Sequence, residues 1–210
     1  MGDGDARVLV VFAHPAFERS RVNRVLVDAA VATEGITVWD LYEAYPEFDI
    51  DVVAEQERLL AHDVIVFLHP FYWYSLPALL KQWQDLVLEH GWAYGHGGEA
   101  LADKVVFHAI TAGGGKDAYH RSGYNRFTIG ELTRPWAQTA ALCGMRYLPP
   151  FVAFGTHRMS ADDIAGHGRA FARLLRTLRR RDLDLEAAEA SEHLNDRLDA
   201  ERDPSPGEAP

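Results

Sequence analysis

With Cys143 as its only cysteine, the chain has no internal disulfide framework and no cysteine-built zinc or iron–sulfur cage. A reducing compartment suits such a sequence. No apolar run reaches the ~18 residues of a membrane span, and the first six residues are polar and acidic where a secretory leader would be basic and then apolar. A cytoplasmic protein is expected. Also missing is any Lys/Arg-rich stripe with interleaved aromatics, and the formal net charge of −10 repels phosphates, which disfavours nucleic-acid binding. Ten histidines are present, but none stands in HExxH or a comparable ligand spacing, so no metal site is expected.

What the 210 residues do contain suits one α/β domain with an appendage: 48% are hydrophobic and 25% charged. Unbroken apolar and β-branched runs at 7–13, 64–69 and 104–111 read as strands buried on both faces, the pattern of a parallel sheet. Weaker strands are expected at 35–41 and 145–156. Helical stretches at 20–33, 52–61, 77–88, 129–143 and 160–181 alternate with them, which predicts right-handed crossovers and an open sheet of five parallel strands in the order 2-1-3-4-5. Trp83 and Trp136 fall in amphipathic helices as core or interface residues. Cys143 reads as a small core residue, and His69 and His108, in or beside strands, as buried and satisfied imidazoles. The domain is placed at residues 1–182. From Leu183 onwards aromatic and β-branched residues thin out, and a net −6 accumulates between Glu186 and Pro210, so residues 183–210 are expected to form a disordered acidic tail.

Three loops carry the chemistry. After the first strand comes a segment with His14, Ser20, Arg21, Val22 and Asn23 and no GxGxxG. It offers a hydroxyl, an amide, a guanidinium and the free N–H groups of a helix start, which suits one terminal phosphate rather than a pyrophosphate. After the third strand, Phe71, Tyr72, Trp73 and Tyr74 stand between Pro70 and Pro77. Four rings on a strand-end loop forfeit burial unless something flat lies against them, and an isoalloxazine would. After the fourth strand, Thr111, Ala112, Gly113, Gly114 and Gly115 permit close backbone approach to a ligand edge. In the order 2-1-3-4-5 these three strands end side by side in one crevice at the switch point. The loops after strands two and five look less like ligand machinery.

With Ala13-His14-Pro15, Ser20, Asn23, the 71–74 aromatics and the 111–115 segment, the chain resembles the NAD(P)H:quinone oxidoreductase (DT-diaphorase) family. A narrower likeness lies in Tyr45-Pro46-Glu47-Phe48-Asp49-Ile50-Asp51, Ala54-Glu55-Gln56, His90-Gly91-Trp92-Ala93-Tyr94-Gly95-His96-Gly97-Gly98 and Leu148-Pro149-Pro150-Phe151. These resemble the ancillary oxidoreductases of the Kef glutathione-gated potassium-efflux systems, over residues 8–180. The resemblance implies a flavodoxin-like fold, a homodimer, FMN in preference to FAD, and hydride transfer from NAD(P)H through flavin to a quinone. It carries flavin contacts to His14, Ser20, Arg21, Val22 and Asn23, to Phe71, Tyr72, Trp73 and Tyr74, and to Ala112, Gly113, Gly114 and Gly115, with Thr111 adjacent. Tyr119 takes the place of the family's ring beside the flavin. Where a histidine is usual just beyond a glycine, this chain has Gly123, Tyr124 and Asn125, leaving His120 or Asn125 as the substitute that stabilises charge. Two functions follow from the resemblance: an NAD(P)H dehydrogenase (quinone), or a regulatory subunit seated peripherally at the inner membrane face on a potassium/proton antiporter, with flavin as a structural or sensing group.

Overall fold

The computed structural model describes residues 4–200. The first apolar run forms β1 (Val8–Phe12), every residue of which is shielded from solvent. Its side chains alternate across the sheet: Val8, Val10 and Phe12 enter one core and Leu9 and Val11 the other. The chain then runs through α1 (Arg21–Val31), β2 (Ile36–Asp40), α2 (Leu41–Ala44), α3 (Val52–Leu60), β3 (Val64–Pro70), α4 (Ala78–Val87) and β4 (Val105–Ala112). After these come α5 (Ile129–Leu132), α6 (Arg134–Leu142), β5 (Arg146–Tyr147), β6 (Phe151–Phe154), α7 (Ala161–Arg179), α8 (Leu185–Glu189) and α9 (Leu194–Ala200). The order β2-β1-β3-β4-β5 is the expected one, every pairing is parallel, and β6 also pairs with β4. Val22 and Leu26 of α1 and Phe171 and Leu174 of α7 cover one face. Leu59 of α3 and Leu79, Leu80 and Trp83 of α4 cover the other.

The motif 45–56 is explained by one carboxylate. Glu55 has no solvent exposure, yet it accepts from the Tyr45 hydroxyl at 2.8 Å, the Trp83 indole Nε1 at 2.8 Å and the Arg58 Nε at 3.4 Å. A buried carboxylate is tolerable only when its lone pairs are filled in this way.

Three expectations need correction. The strand expected at 145–156 is two strands, because Pro149 and Pro150 lack the N–H groups that would continue the ladder. Between the paired positions Tyr147 and Phe151 the edge strand advances four residues, while β4 advances three, from Val106 to Ala109. That is a bulge of one residue. The helix expected at 129–143 breaks at Thr133, whose ψ of 2° leaves the helical region, since the Pro135 ring would crowd the carbonyl four residues earlier. Finally, residues 183–198 are not a loose tail. Leu183, Ala188, Leu194 and Leu198 are buried and join the core formed by α7 and the sheet, because widely spaced apolar residues in an acidic segment all meet one face. The Pro-rich end of the expected tail, 203–210, lies outside the described residues.

Candidate functional site

At the carboxyl ends of β1, β3 and β4 lies an open cavity of about 740 Å³, within the usual ~300–1,000 Å³ of ligand clefts. Its first wall is the start of α1. Ser20, in extended backbone, caps the helix by accepting from the Asn23 N–H at 3.3 Å. The Asn23 side-chain amide donates to Ser20 Oγ at 3.0 Å and to Thr111 Oγ1 at 2.9 Å, pinning the helix start to the end of β4. Its carbonyl oxygen Oδ1 is buried without a partner. A buried polar atom without a partner is costly. Arg21 anchors its guanidinium on the Met159 carbonyl at 3.2 Å, and Val22 is buried beneath the first turn. The first-turn N–H groups and the positive end of the helix dipole therefore face a cavity with no acid in its lining. His14 is almost buried; its Nδ1 accepts from the Ala16 N–H at 3.0 Å, which leaves the proton on Nε2. Burial pushes its pKa down against the opposing pull of Glu18, so a neutral imidazole lines the cavity.

The second wall is the aromatic shelf. Phe71 donates its N–H to Thr111 O at 2.9 Å, Tyr72 to Pro70 O at 3.0 Å and Ser75 to Tyr72 O at 2.9 Å. Between Tyr72 and Ser75 the two central residues, Trp73 and Tyr74, hold φ of 52° and 61°. Two successive left-handed residues make a primed turn that normally takes Asn-Gly, and bulky residues hold it under strain. Among the described residues their N–H groups meet no backbone acceptor, and the Trp73 ring is 92% exposed.

Behind the shelf stands a fully enclosed pair of histidines. His69 Nδ1 lies 2.9 Å from Pro70 O and its Nε2 lies 3.0 Å from His108 Nδ1. The carbonyl can only accept, so His69 donates to it from Nδ1 and accepts from His108. Burial lowers the pKa of His69 to about 4, against the raising effect of the Pro70 carbonyl, and pushes His108 well down, with His69 adding to the effect. Both rings are neutral. Trp136 stacks on His108 with centroids 3.9 Å apart and meets Phe71 edge-on at 5.9 Å. The core reading of Trp83, Trp136, His69, His108 and Cys143 agrees with their burial.

The third segment reaches the cavity with Thr111 and Gly113 only. Ala112 is buried, Gly114 accepts from the Gly155 N–H at 2.8 Å, and Gly115 begins the turn 116–118. Nor do Tyr119, Asn125 and His120 line the cavity. Tyr119 is buried beside Phe154, its ring 3.1 Å from where a Cβ on Gly114 would sit, with the Gly114 amide and the Asn125 side chain on the side of its hydroxyl. Burial, helped by Tyr74, raises its pKa against the opposing pull of those two groups. Asn125 Oδ1 also accepts from the Tyr74 hydroxyl at 3.1 Å. His120 is exposed and bonded to Ser122.

One wall was not expected. Thr156 and His157, just past β6, line the cavity, as do Ala16, Arg19 and Pro70. The loop after the fifth strand position is therefore part of the site, because β6 ends beside β4. Its sequence signal was Gly155-Thr156-His157 directly after an apolar run. Gly113 leaves the room: a Cβ there would lie 2.7 Å from His157 Nε2. Among the described residues no group of three or more His, Cys, Asp or Glu side chains is placed to hold a metal ion, and no helix is long and apolar enough to cross a membrane.

The profile of the flavodoxin-like fold family, Flavodoxin_2, matches residues 6–176. The glutathione-regulated potassium-efflux system ancillary protein KefG of Cronobacter sakazakii is 45% identical over 170 residues, covering 81% of this chain and 92% of its own. This chain belongs to the flavodoxin-like NAD(P)H:quinone reductase family. Among solved members, general stress protein 14 of Treponema denticola in complex with FMN is 36% identical with a TM-score of 0.78, covering 82% of this chain and 99% of that one. An NADPH-quinone reductase from P. pentosaceus is 32% identical with a TM-score of 0.73, covering 80% and 96%. The FMN of the first of these two structures is the group against which the cavity is compared. Its walls fit a flavin mononucleotide: a helix start for a phosphate, and two free N–H groups beside exposed rings for a polar planar edge.

Proposed function

We propose that the chain is an FMN-dependent NAD(P)H:quinone oxidoreductase, passing two electrons from NAD(P)H to a quinone or related electrophile. The observation that carries this reading is the meeting of the α1 start, the strained 71–74 shelf and Gly113 around a single cavity. When bound, the flavin would supply hydride acceptance and donation, so no protein nucleophile is needed. Ser20, Arg21, Val22 and Asn23 would hold its phosphate, and the neutral His14 would donate from Nε2. The Trp73 and Tyr74 N–H groups would meet the ring's polar edge, with Phe71 and Tyr72 excluding water beneath it. Ala112, Gly114 and Gly115 would serve the site by shaping the backbone behind Thr111 and Gly113. Asn125 bonds to Tyr74 and the Tyr119 ring lies against Phe71, so these two residues, expected to touch the reduced ring, would act by holding the shelf.

The likeness to KefG favours a second role beside the first. A potassium-efflux antiporter would be the partner, with the chain as a homodimer in the cytoplasm, peripheral to the membrane through that partner. Purified protein should show a flavin absorption band, and the cofactor released on denaturation should be FMN. Anaerobic NADPH should bleach that band and a quinone restore it. A protein still colourless after incubation with FMN would overturn the proposal. Flavin that binds but is not reduced by NADPH or NADH would leave the regulatory role alone standing.

A further inference from the structure

The C-terminal segment 183–198 lies beyond the family match, which ends at residue 176, and its contacts are specific ones. β6 is paired on one side only, with β4. On its free side the Asn195 amide completes the ladder as another strand would: Oδ1 accepts from the Val152 N–H at 2.8 Å, and Nδ2 donates to the Val152 carbonyl at 3.1 Å. The Leu194 N–H adds a bond to Pro150 O at 3.1 Å. His193 sits edge-on to Phe154 with centroids 5.4 Å apart, and Phe154 in turn meets Tyr119 at 5.7 Å. Asp196 lies 3.9 Å from Lys116, at the start of the turn that leads to Tyr119.

These contacts fall on β6, on Pro150 just ahead of it and on the turn at Lys116, the segments from which two loops at one end of the cavity set out. Two residues past Val152 the chain leaves β6, the Gly155 N–H bonds to Gly114 O, and the Thr156 N–H bonds to Ala112 O at 3.1 Å. Thr156 and His157 then form the cavity wall. We infer that the segment 183–198 is a strap that positions this wall, and that Asn195 is the positioning residue through which it acts. A single-sided edge strand frays readily, because its outward N–H and C=O groups bond to water as well as to protein. By filling both groups of Val152, Asn195 stops that fraying short of Gly155 and Thr156. The inference rests on the flavin reading only in what the wall is for.

The test uses the full chain and two variants. Asn195→Leu keeps side-chain bulk and removes both bonds; Leu183→Ala weakens the strap's burial away from β6. Amide hydrogen exchange is followed without cofactor, and FMN affinity is read by quenching of flavin fluorescence, with melting temperatures for both variants. Asn195→Leu should speed exchange across 152–157 and raise the FMN dissociation constant, each by about tenfold, the expectation for two lost hydrogen bonds. Leu183→Ala should lower the melting temperature and change neither. Exchange that quickens only within 183–198, or an equal loss of affinity in Leu183→Ala, would overturn the inference. If the parent protein takes up no FMN, the exchange result still decides the strap and the flavin reading alone falls.

Discussion

The α1 start and the 71–74 shelf both offer free N–H groups to the same cavity, but they come by them differently. At Ser20–Asn23 the groups are free because any helix leaves its first N–H groups unpaired, and the local backbone is ordinary. At Trp73 and Tyr74 they are free because the central N–H groups of a β-turn have no partner within it, and here the turn holds two bulky residues left-handed, each at a cost of about 1–2 kcal/mol. A glycine at either shelf position would remove the strain. That rings stand there instead marks the shelf as the arm where stability is exchanged for contact with a flat ligand.

Breaking the α1 arm should have the largest effect. Asn23→Ala removes the bonds to Ser20 and Thr111, so we expect a loss of about 2–3 kcal/mol in urea unfolding together with at least about tenfold in FMN affinity. Unchanged affinity in a folded variant would mean that the helix start does not hold the phosphate.

Next comes the support behind the shelf. His69 is neutral in the folded protein down to about pH 4, while an unfolded histidine takes up a proton near 6.5. The unfolded state therefore binds more protons between those values, and stability falls as the pH falls through that window. From this residue alone the loss between pH 7 and pH 5 is about 2 kcal/mol, and the lowered pKa values of His108, His14 and His193 act in the same direction. Urea midpoints that stay level from pH 7 to pH 5 would contradict the neutral pair.

The shelf itself should respond with opposite signs. Trp73→Gly ought to stabilise the cofactor-free protein by up to about 1 kcal/mol, the relieved strain less glycine's added chain entropy, while FMN affinity drops. A variant that loses stability and keeps its affinity would reverse the contrast between the two arms. Smallest of all, Gly113→Ala should leave the melting temperature nearly unchanged, because the nearest atom is the mobile end of His157, and weaken FMN by only a few-fold.

Much of this contrast could be read from residue order. The run 7–13 announced a doubly covered strand, and the four rings between prolines announced a surface that wants a flat partner. What stayed hidden depends on register or on backbone angles. Thr156 and His157 reach the cavity because β6 pairs with Ala109–Ala112, which composition cannot reveal. The left-handed turn at Trp73 and Tyr74 is invisible because sequence habits place glycine or asparagine there. Tyr119 matched a family position and Asn125 stood in for its missing histidine, but Tyr119 is buried beside Phe154 and the Asn125 oxygen is taken by the Tyr74 hydroxyl. The strap escaped notice because four apolar residues diluted among acids look like solvated chain until their common face is seen.

The surplus residue at Pro149–Pro150 works as a parity switch. Tyr147 and Phe151 are an even number apart, so an unbroken strand would point both to the same side. Instead Tyr147 packs with the α3–α4 layer and Phe151 with the α1–α7 layer. Deleting either proline would set three residues against the three of β4, so the bulge would vanish while Phe151 kept its side and Thr156 and His157 stayed at the crevice they enclose.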